Sequence, residues 1–169
     1  MSLAPPRTVV FSHGRDSSPW STKIETLAAV ARDRGCRVDS IDYRGIDTVE
    51  GRLARLLAGC RELSRPILVG SSLGGFLAAA ASKPLDASGL FLMAPAFDLP
   101  GLPPTPPVAP CPAVVVHGWR DEVVPVDTGI AFARARGALL HVVDDDHRLL
   151  AALPRIAGWW RDFLDGLPG

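Results

Sequence analysis

Short blocks of branched apolar residues alternate along this chain with stretches whose apolar positions recur every three or four residues. Thr8-Val9-Val10-Phe11-Ser12, the run beginning Ile67-Leu68-Val69, Gly89-Leu90-Phe91-Leu92-Met93, Ala113-Val114-Val115-Val116-His117 and Leu139 to Val143 read as strands, most of them buried on both faces. Cys36 to Asp42 differs, because Val38 sits between Arg37 and Asp39; this alternation predicts an edge strand with one face partly wet. The helical pattern starts with Ile24, Leu27, Ala28 and Ala31 on one face, and Gly35 stops that helix. Two starts are open to it: Ser18 capping with Pro19 at the first helical position, or Thr22 capping with Glu25 three residues on. Asp47 and Glu50 form a capping-box pattern around the stripe Val49, Leu53, Leu56, Leu57 and Cys60. Further helices are expected over the alanine-rich run from Phe76 to Ala81, over Asp127 to Arg136 with Gly137 as the stop, and from Pro154 onward, burying Ile156, Trp160, Phe163 and Leu164.

Strand and helix in alternation predict a parallel sheet covered on both faces, joined by right-handed crossovers, in one domain over residues 1–169. One segment breaks the rhythm. Residues 94–112 are too rich in proline for a regular helix, so this crossover is expected to be irregular, serving as a plain connector or as a small flap over a site.

Composition narrows the partners. Eighteen Lys and Arg balance eighteen Asp and Glu, so no net field favours nucleic acid or an anionic membrane. No apolar run approaches a membrane span, and Met1 to Arg7 lacks the pattern of a signal peptide, so a soluble cytoplasmic protein is expected. Cys36, Cys60 and Cys111 are odd in number and widely spaced, which fits reduced thiols in packing positions better than a disulfide framework. With no His-Glu-x-x-His and no paired cysteines, no metal or other cofactor is expected.

Candidate chemistry centres on Gly70-Ser71-Ser72-Leu73-Gly74, a Gly-x-Ser-x-Gly turn between a buried strand and a helix. Such a turn holds the serine in a strained conformation at the top of the sheet, with Ser71 as a turn residue beside it. Active residues of a parallel sheet gather at the carboxyl ends of its strands. Ser72 follows the third strand, Asp121 the fifth and His147 the sixth, while His13-Gly14-Arg15 follows the first. A serine hydroxyl is a weak nucleophile and needs a base; His147 alone among the histidines comes after the last strand. His117 is expected to pack or hydrogen-bond locally, His13 to line the first loop and His141 to lie within a strand. Asp98, after the fourth strand, is the alternative to Asp121 as the acid, and Asp144, Asp145 and Asp146 read as a solvated acidic turn.

With Gly70-Ser71-Ser72-Leu73-Gly74, the His117-Gly118-x-x-Asp121-x-x-Val124-Pro125 loop and the late His147 in that order, the chain resembles the α/β-hydrolases over residues 8–165. His13-Gly14, with Ser17-Ser18-Pro19 behind it, is similar to small, lidless bacterial esterase-like members. The resemblance implies a three-layer α/β/α fold; the chain departs from the full family pattern in lacking the two leading antiparallel strands and in having proline-rich chain where a helix usually joins the fourth and fifth strands, so a minimal six-stranded, mostly parallel sheet in the order 2-1-3-4-5-6 without a large cap is expected. It also implies a catalytic triad of Ser72, His147 and Asp121, with the backbone N–H groups of Leu73 and Arg15 as the oxyanion hole. The activity so implied is hydrolysis of a small-molecule carboxylic ester or thioester through an acyl-enzyme. A triad enzyme using an acceptor other than water, as a perhydrolase or acyltransferase does, is an alternative; so is a non-catalytic interaction protein on the same scaffold. Trp20, Phe97, Trp119, Val123 and Val124 are expected to build the substrate pocket together with Arg15 and Leu73, and one of Arg15, Arg44, Arg120 and Arg148 to receive a substrate carboxylate.

Overall fold

A computed structural model describes residues 6–168; residues 1–5, which carry most of the amino-terminal stretch read for a signal peptide, and Gly169 lie outside it. Six parallel strands form one sheet in the order β2-β1-β3-β4-β5-β6. They are β1 (Thr8–Ser12), β2 (Arg37–Ile41), β3 (Ile67–Ser71), β4 (Gly89–Met93), β5 (Ala113–Gly118) and β6 (Leu139–Val143). The helices are α1 (Thr22–Asp33), α2 (Val49–Cys60), α3 (Leu73–Ser82), α4 (Val126–Arg136) and α5 (Leu153–Gly166). This is the α/β-hydrolase architecture in its small form, with no large cap among the described residues.

Strand periodicity divides the core in two. Val9, Phe11, Ile67, Val69, Phe91, Met93, Val114 and Val116 point to one face, where α1 and α5 cover them. Their neighbours Val10, Leu68, Leu90, Leu92 and Val115 point to the other, beneath α2, α3 and α4. Successive side chains of a strand face opposite ways, so central strands are apolar throughout. The edge strands β2 and β6 are mostly half-exposed, as the alternation in β2 predicts. In α5, Ile156, Trp160 and Leu164 recur every four residues along the buried stripe. Trp160 is fully buried, and its indole N–H donates to the Leu27 carbonyl of α1 at 2.9 Å, which joins the two helices of that layer. Phe163 lies at the margin of this cluster rather than inside it.

Two helix starts differ from expectation. In α1 the cap position is Ser21, with extended backbone, and its side chain makes no capping bond; Thr22 is already helical. In α2 the cap is Thr48 and not Asp47, and its hydroxyl accepts from the Gly51 N–H at 3.1 Å. Both are shifts of one residue or a few among neighbouring cap-forming side chains, which sequence pattern separates poorly.

Between β4 and β5 the chain has no helix. Residues 94–112 cross the sheet irregularly but are tied down: Arg136 of α4 donates through Nη2 to the carbonyls of Ala109 and Cys111 at 2.6 and 2.8 Å, and the Ser82 hydroxyl accepts from the Ala109 N–H at 3.0 Å. Cys36, Cys60 and Cys111 are buried free thiols. Among the described residues no helix is long and apolar enough to cross a membrane.

Candidate active site

The turn from β3 into α3 carries the strain that its sequence predicts. Ser72 has φ 55° and ψ −123°, a region that side chains rarely occupy and that costs roughly 1–3 kcal/mol. Its backbone is held there from several sides: its N–H donates to Met93 O at 3.0 Å, and its carbonyl accepts from Gly75, Phe76 and Ala96. Close approach beneath the turn explains Gly74, where a Cβ would fall 2.0 Å from the Ser12 carbonyl oxygen of β1. Ser71 is the last residue of β3 rather than part of the turn, and its hydroxyl accepts from Lys23 Nζ at 2.8 Å.

His147 and Asp121 reach Ser72 because two loops meet at the end of the sheet. Gly118 closes β5, and a Cβ on it would lie 2.3 Å from Asp145 O, so only glycine lets the loop after β6 approach so near. The N–H groups of Trp119 and Arg120 then donate to Val143 O and Asp145 O across that contact. Asp145, expected in a solvated turn, is instead buried: its Oδ1 accepts from Asp146 N–H and its Oδ2 from Ala152 N–H, both at 2.8 Å. Only Asp144 and Asp146 stay exposed. The result is a hydrogen-bonded line. His147 Nε2 lies 3.0 Å from Ser72 Oγ, and His147 Nδ1 lies 2.7 Å from Asp121 Oδ2.

The Asp121 side chain is fully enclosed, and its carboxylate is satisfied on both oxygens. Oδ1 accepts from the N–H groups of Val123 and Val124 at 2.9 and 2.8 Å. Oδ2 faces both His147 and His117, whose Nε2 lies 3.2 Å away and 3.0 Å from the Val124 carbonyl. A carbonyl can only accept, so His117 carries its proton on Nε2; its buried Nδ1 is then a bare acceptor without a partner, packed against Gly129. Burial holds the His117 pKa below that of a free imidazole. A neutral His117 that donates towards Asp121 fixes the carboxylate without competing for its charge. The sequence predicts only local packing or hydrogen bonding for His117; its contact with the acid depends on the turn through Val124.

His13 organises the loop after β1. The Tyr43 N–H donates to its Nε2 at 3.1 Å, which leaves the proton on Nδ1 to donate to Gly14 O at 2.8 Å. Burial lowers the His13 pKa, so this neutral tautomer is the stable one. Beyond it, Arg15 lies in a turn facing the same cavity as Leu73, the first residue of α3. Neither backbone N–H donates to another group among the described residues. The first N–H groups of a helix have no partner within it, so Leu73 is a free donor by position.

The cavity over Ser72 measures about 730 Å³. Its polar wall includes Arg15, Asp16, Lys23, Ser72, His147 and Arg148; its apolar wall includes Ile24, Leu73, Ala96, Leu99, Leu102, Val123 and Leu150. The proline-rich segment thus forms one side of it. Several residues expected there lie elsewhere. Phe97 is fully buried between the rings of Phe76 and Phe132, because the chain after β4 turns inward over α3. Val124 is buried and meets Asp121 through its backbone. Trp119 is 60 % exposed outside the cavity, and Trp20 packs under the Arg32 guanidinium at 5.6 Å instead of lining it. Arg44 pairs with Asp42 and Arg120 with Asp144, each at 2.7 Å on the surface, and neither lines the cavity. Asp98, the alternative acid, accepts from the Thr105 hydroxyl at 2.9 Å on an exposed turn and has no bond to His147. The cavity also takes residues that the sequence pattern does not single out, among them Asp16, Leu99, Leu102, Leu150 and the cation Lys23. For Lys23 the one signal in the sequence is a cation in the first turn of a helix, where the dipole disfavours positive charge.

Comparison with known proteins agrees with the fold. A model of the alpha/beta hydrolase family matches residues 9–168. An alpha/beta-superfamily protein of Xanthomonas campestris pv. campestris is 35% identical, with a TM-score of 0.90 over 95% of this chain and 98% of that one. An esterase from Pyrococcus furiosus superimposes with a TM-score of 0.81 at 20% identity, covering 96% of this chain and 84% of that one. Est1E from Butyrivibrio proteoclasticus does so with 0.76 at 18%, covering 94% and 87%. At those identities the likeness is one of fold. No curated protein matches the chain. Matched over nearly all its length by the family model, and built on the same sheet, the chain belongs to the alpha/beta hydrolase family.

Proposed function

We propose that this hydrolase cleaves small carboxylic esters or thioesters through an acyl-enzyme on Ser72. The observation that carries this reading is the hydrogen-bonded line from Ser72 Oγ through His147 to Asp121 at 3.0 and 2.7 Å. In the first half-reaction Ser72 Oγ attacks the carbonyl carbon as His147 Nε2 takes its proton; collapse of the tetrahedral intermediate expels the alcohol or thiol, which receives that proton from His147. Water, deprotonated by His147, then attacks the acyl-enzyme, and the acid leaves as the proton returns to Ser72. Asp121 orients the imidazole through Oδ2 and offsets the charge it acquires, while the N–H groups of Val123 and Val124 hold its Oδ1. The Leu73 and Arg15 N–H groups supply the oxyanion site; a donor of this kind is worth about 10² to 10³ in rate. Esterases among the fold neighbours support ester chemistry, and a cavity without a deep cap suits a short or medium acyl group.

Labelling with a fluorophosphonate probe tests the nucleophile. Wild-type protein is expected to label and to hydrolyse 4-nitrophenyl butyrate, and Ser72→Ala to lose both, turnover falling by roughly 10⁴-fold or more. A folded wild-type protein that neither labels nor turns over any ester or thioester in a chain-length panel would refute the reading.

A further inference from the structure

Lys23 is placed where a lysine is costly. It sits in the first turn of α1, at the positive end of the helix dipole, half-buried, and its ammonium touches only the neutral Ser71 hydroxyl at 2.8 Å; no carboxylate lies within ion-pair distance among the described residues. Burial and the neighbouring Arg148 lower its pKa to about 8, although Asp121, Asp145 and Asp146 act at longer range to hold its proton. Ser71 leaves two of its three N–H donors unused. Lys23 also lines the cavity over Ser72, together with Arg15 and Arg148 at its exposed margin and Asp16 as the one opposing carboxylate.

We infer that Lys23, with Arg15 and Arg148 at the cavity mouth, receives a carboxylate on the substrate, so that the preferred esters or thioesters carry a negative charge. This deepens the ester-hydrolase reading above and rests on it. A charged group next to the ammonium regains the ion-pair energy that Lys23 lacks in the free protein. Arg15, Asp16 and Arg148 stand in water at the mouth and are screened there, so the pairing to be gained inside is that of one ammonium with one negative charge, which a carboxylate supplies. The apolar wall from Ala96 to Leu102 would take the chain linking that carboxylate to the scissile carbonyl.

The test compares kcat/KM for 4-nitrophenyl hydrogen glutarate with that for its methyl-capped, neutral counterpart, in wild type, Lys23→Gln and Lys23→Arg. Taking the ratio cancels any loss common to both substrates, and glutamine keeps a donor for Ser71 while removing the charge. A second pair, 4-acetoxybenzoate against its methyl ester, moves the carboxylate to the leaving group and identifies the side of the scissile bond that Lys23 meets. In at least one pair the anionic ester is expected to be favoured about tenfold in wild type, with the preference lost in Lys23→Gln and largely kept in Lys23→Arg. Because kcat/KM reports the free protein, the preference should fade as pH rises through about 8. Ratios near one in wild type for both pairs, or ratios that Lys23→Gln leaves unchanged, overturn the inference while leaving ester hydrolysis intact. If the folded protein neither labels nor cleaves any ester or thioester, the ester-hydrolase reading fails. Calorimetry with monomethyl glutarate on Ser72→Ala protein then decides on the anion site: binding weakened about tenfold by Lys23→Gln supports it, and no binding, or binding unaffected by Lys23→Gln, overturns it.

Discussion

At the scale of single residues, this site trades stability for exposure of one hydroxyl. Ser72 holds φ 55°, and the four backbone hydrogen bonds around it are what keep it there. Alanine at this position inherits the strain, whereas glycine occupies such a conformation without it. Ser72→Gly should therefore unfold at higher urea concentration than Ser72→Ala, by about 1 kcal/mol once the extra chain entropy of glycine is subtracted. Equal stabilities would mean that the turn stores no strain. Side-chain direction after a strand end is not written in the local sequence. Phe97 and Trp119 both follow strand ends in sequence, yet one turns into the core and the other out to water, and nothing in their neighbours' identities distinguishes the two.

Among the elements, the segment over residues 94–112 replaces a helix and does a wall's work without one. An irregular chain makes few bonds to itself, so its position depends on outside anchors, and Arg136 is the strongest of these with two charge-assisted bonds. Arg136→Ala is expected to open this segment to limited proteolysis at least several-fold faster, with cleavage between about residues 98 and 110, while urea unfolding of the rest shifts by no more than about 2 kcal/mol. Unchanged cleavage would show that Phe97 and Ala109, both buried, hold the segment by themselves. The proline content makes the absence of a helix legible in advance. Whether the segment borders the cavity is not, because that depends on where its anchors lie on α3 and α4.

For the molecule as a whole, the buried histidines couple the site's scaffold to pH. Burial lowers the pKa of both His13 and His117 below the value of about 6.5 that they regain on unfolding. Below pH 6.5 the unfolded chain then binds protons that the native protein refuses, so stability is full above pH 6.5 and falls as pH drops from there towards the lowered native values. Urea midpoints should decrease between pH 7 and pH 5, and His117→Gln, which cannot titrate, should flatten that slope; a flat wild-type profile would contradict the neutral, buried assignment of both rings. By itself the sequence determined the strand and helix alternation, the two-faced core, the serine turn and the spacing of Ser72, Asp121 and His147 at strand ends, since each is written in local periodicity or in residues that a tight turn demands. The contact of His117 with Asp121, the burial of Asp145 and the place of Lys23 on the cavity over Ser72 arise only in the folded molecule. Each of these depends on how far one loop is drawn towards another, and that distance is set by packing across the sheet rather than by any neighbour along the chain.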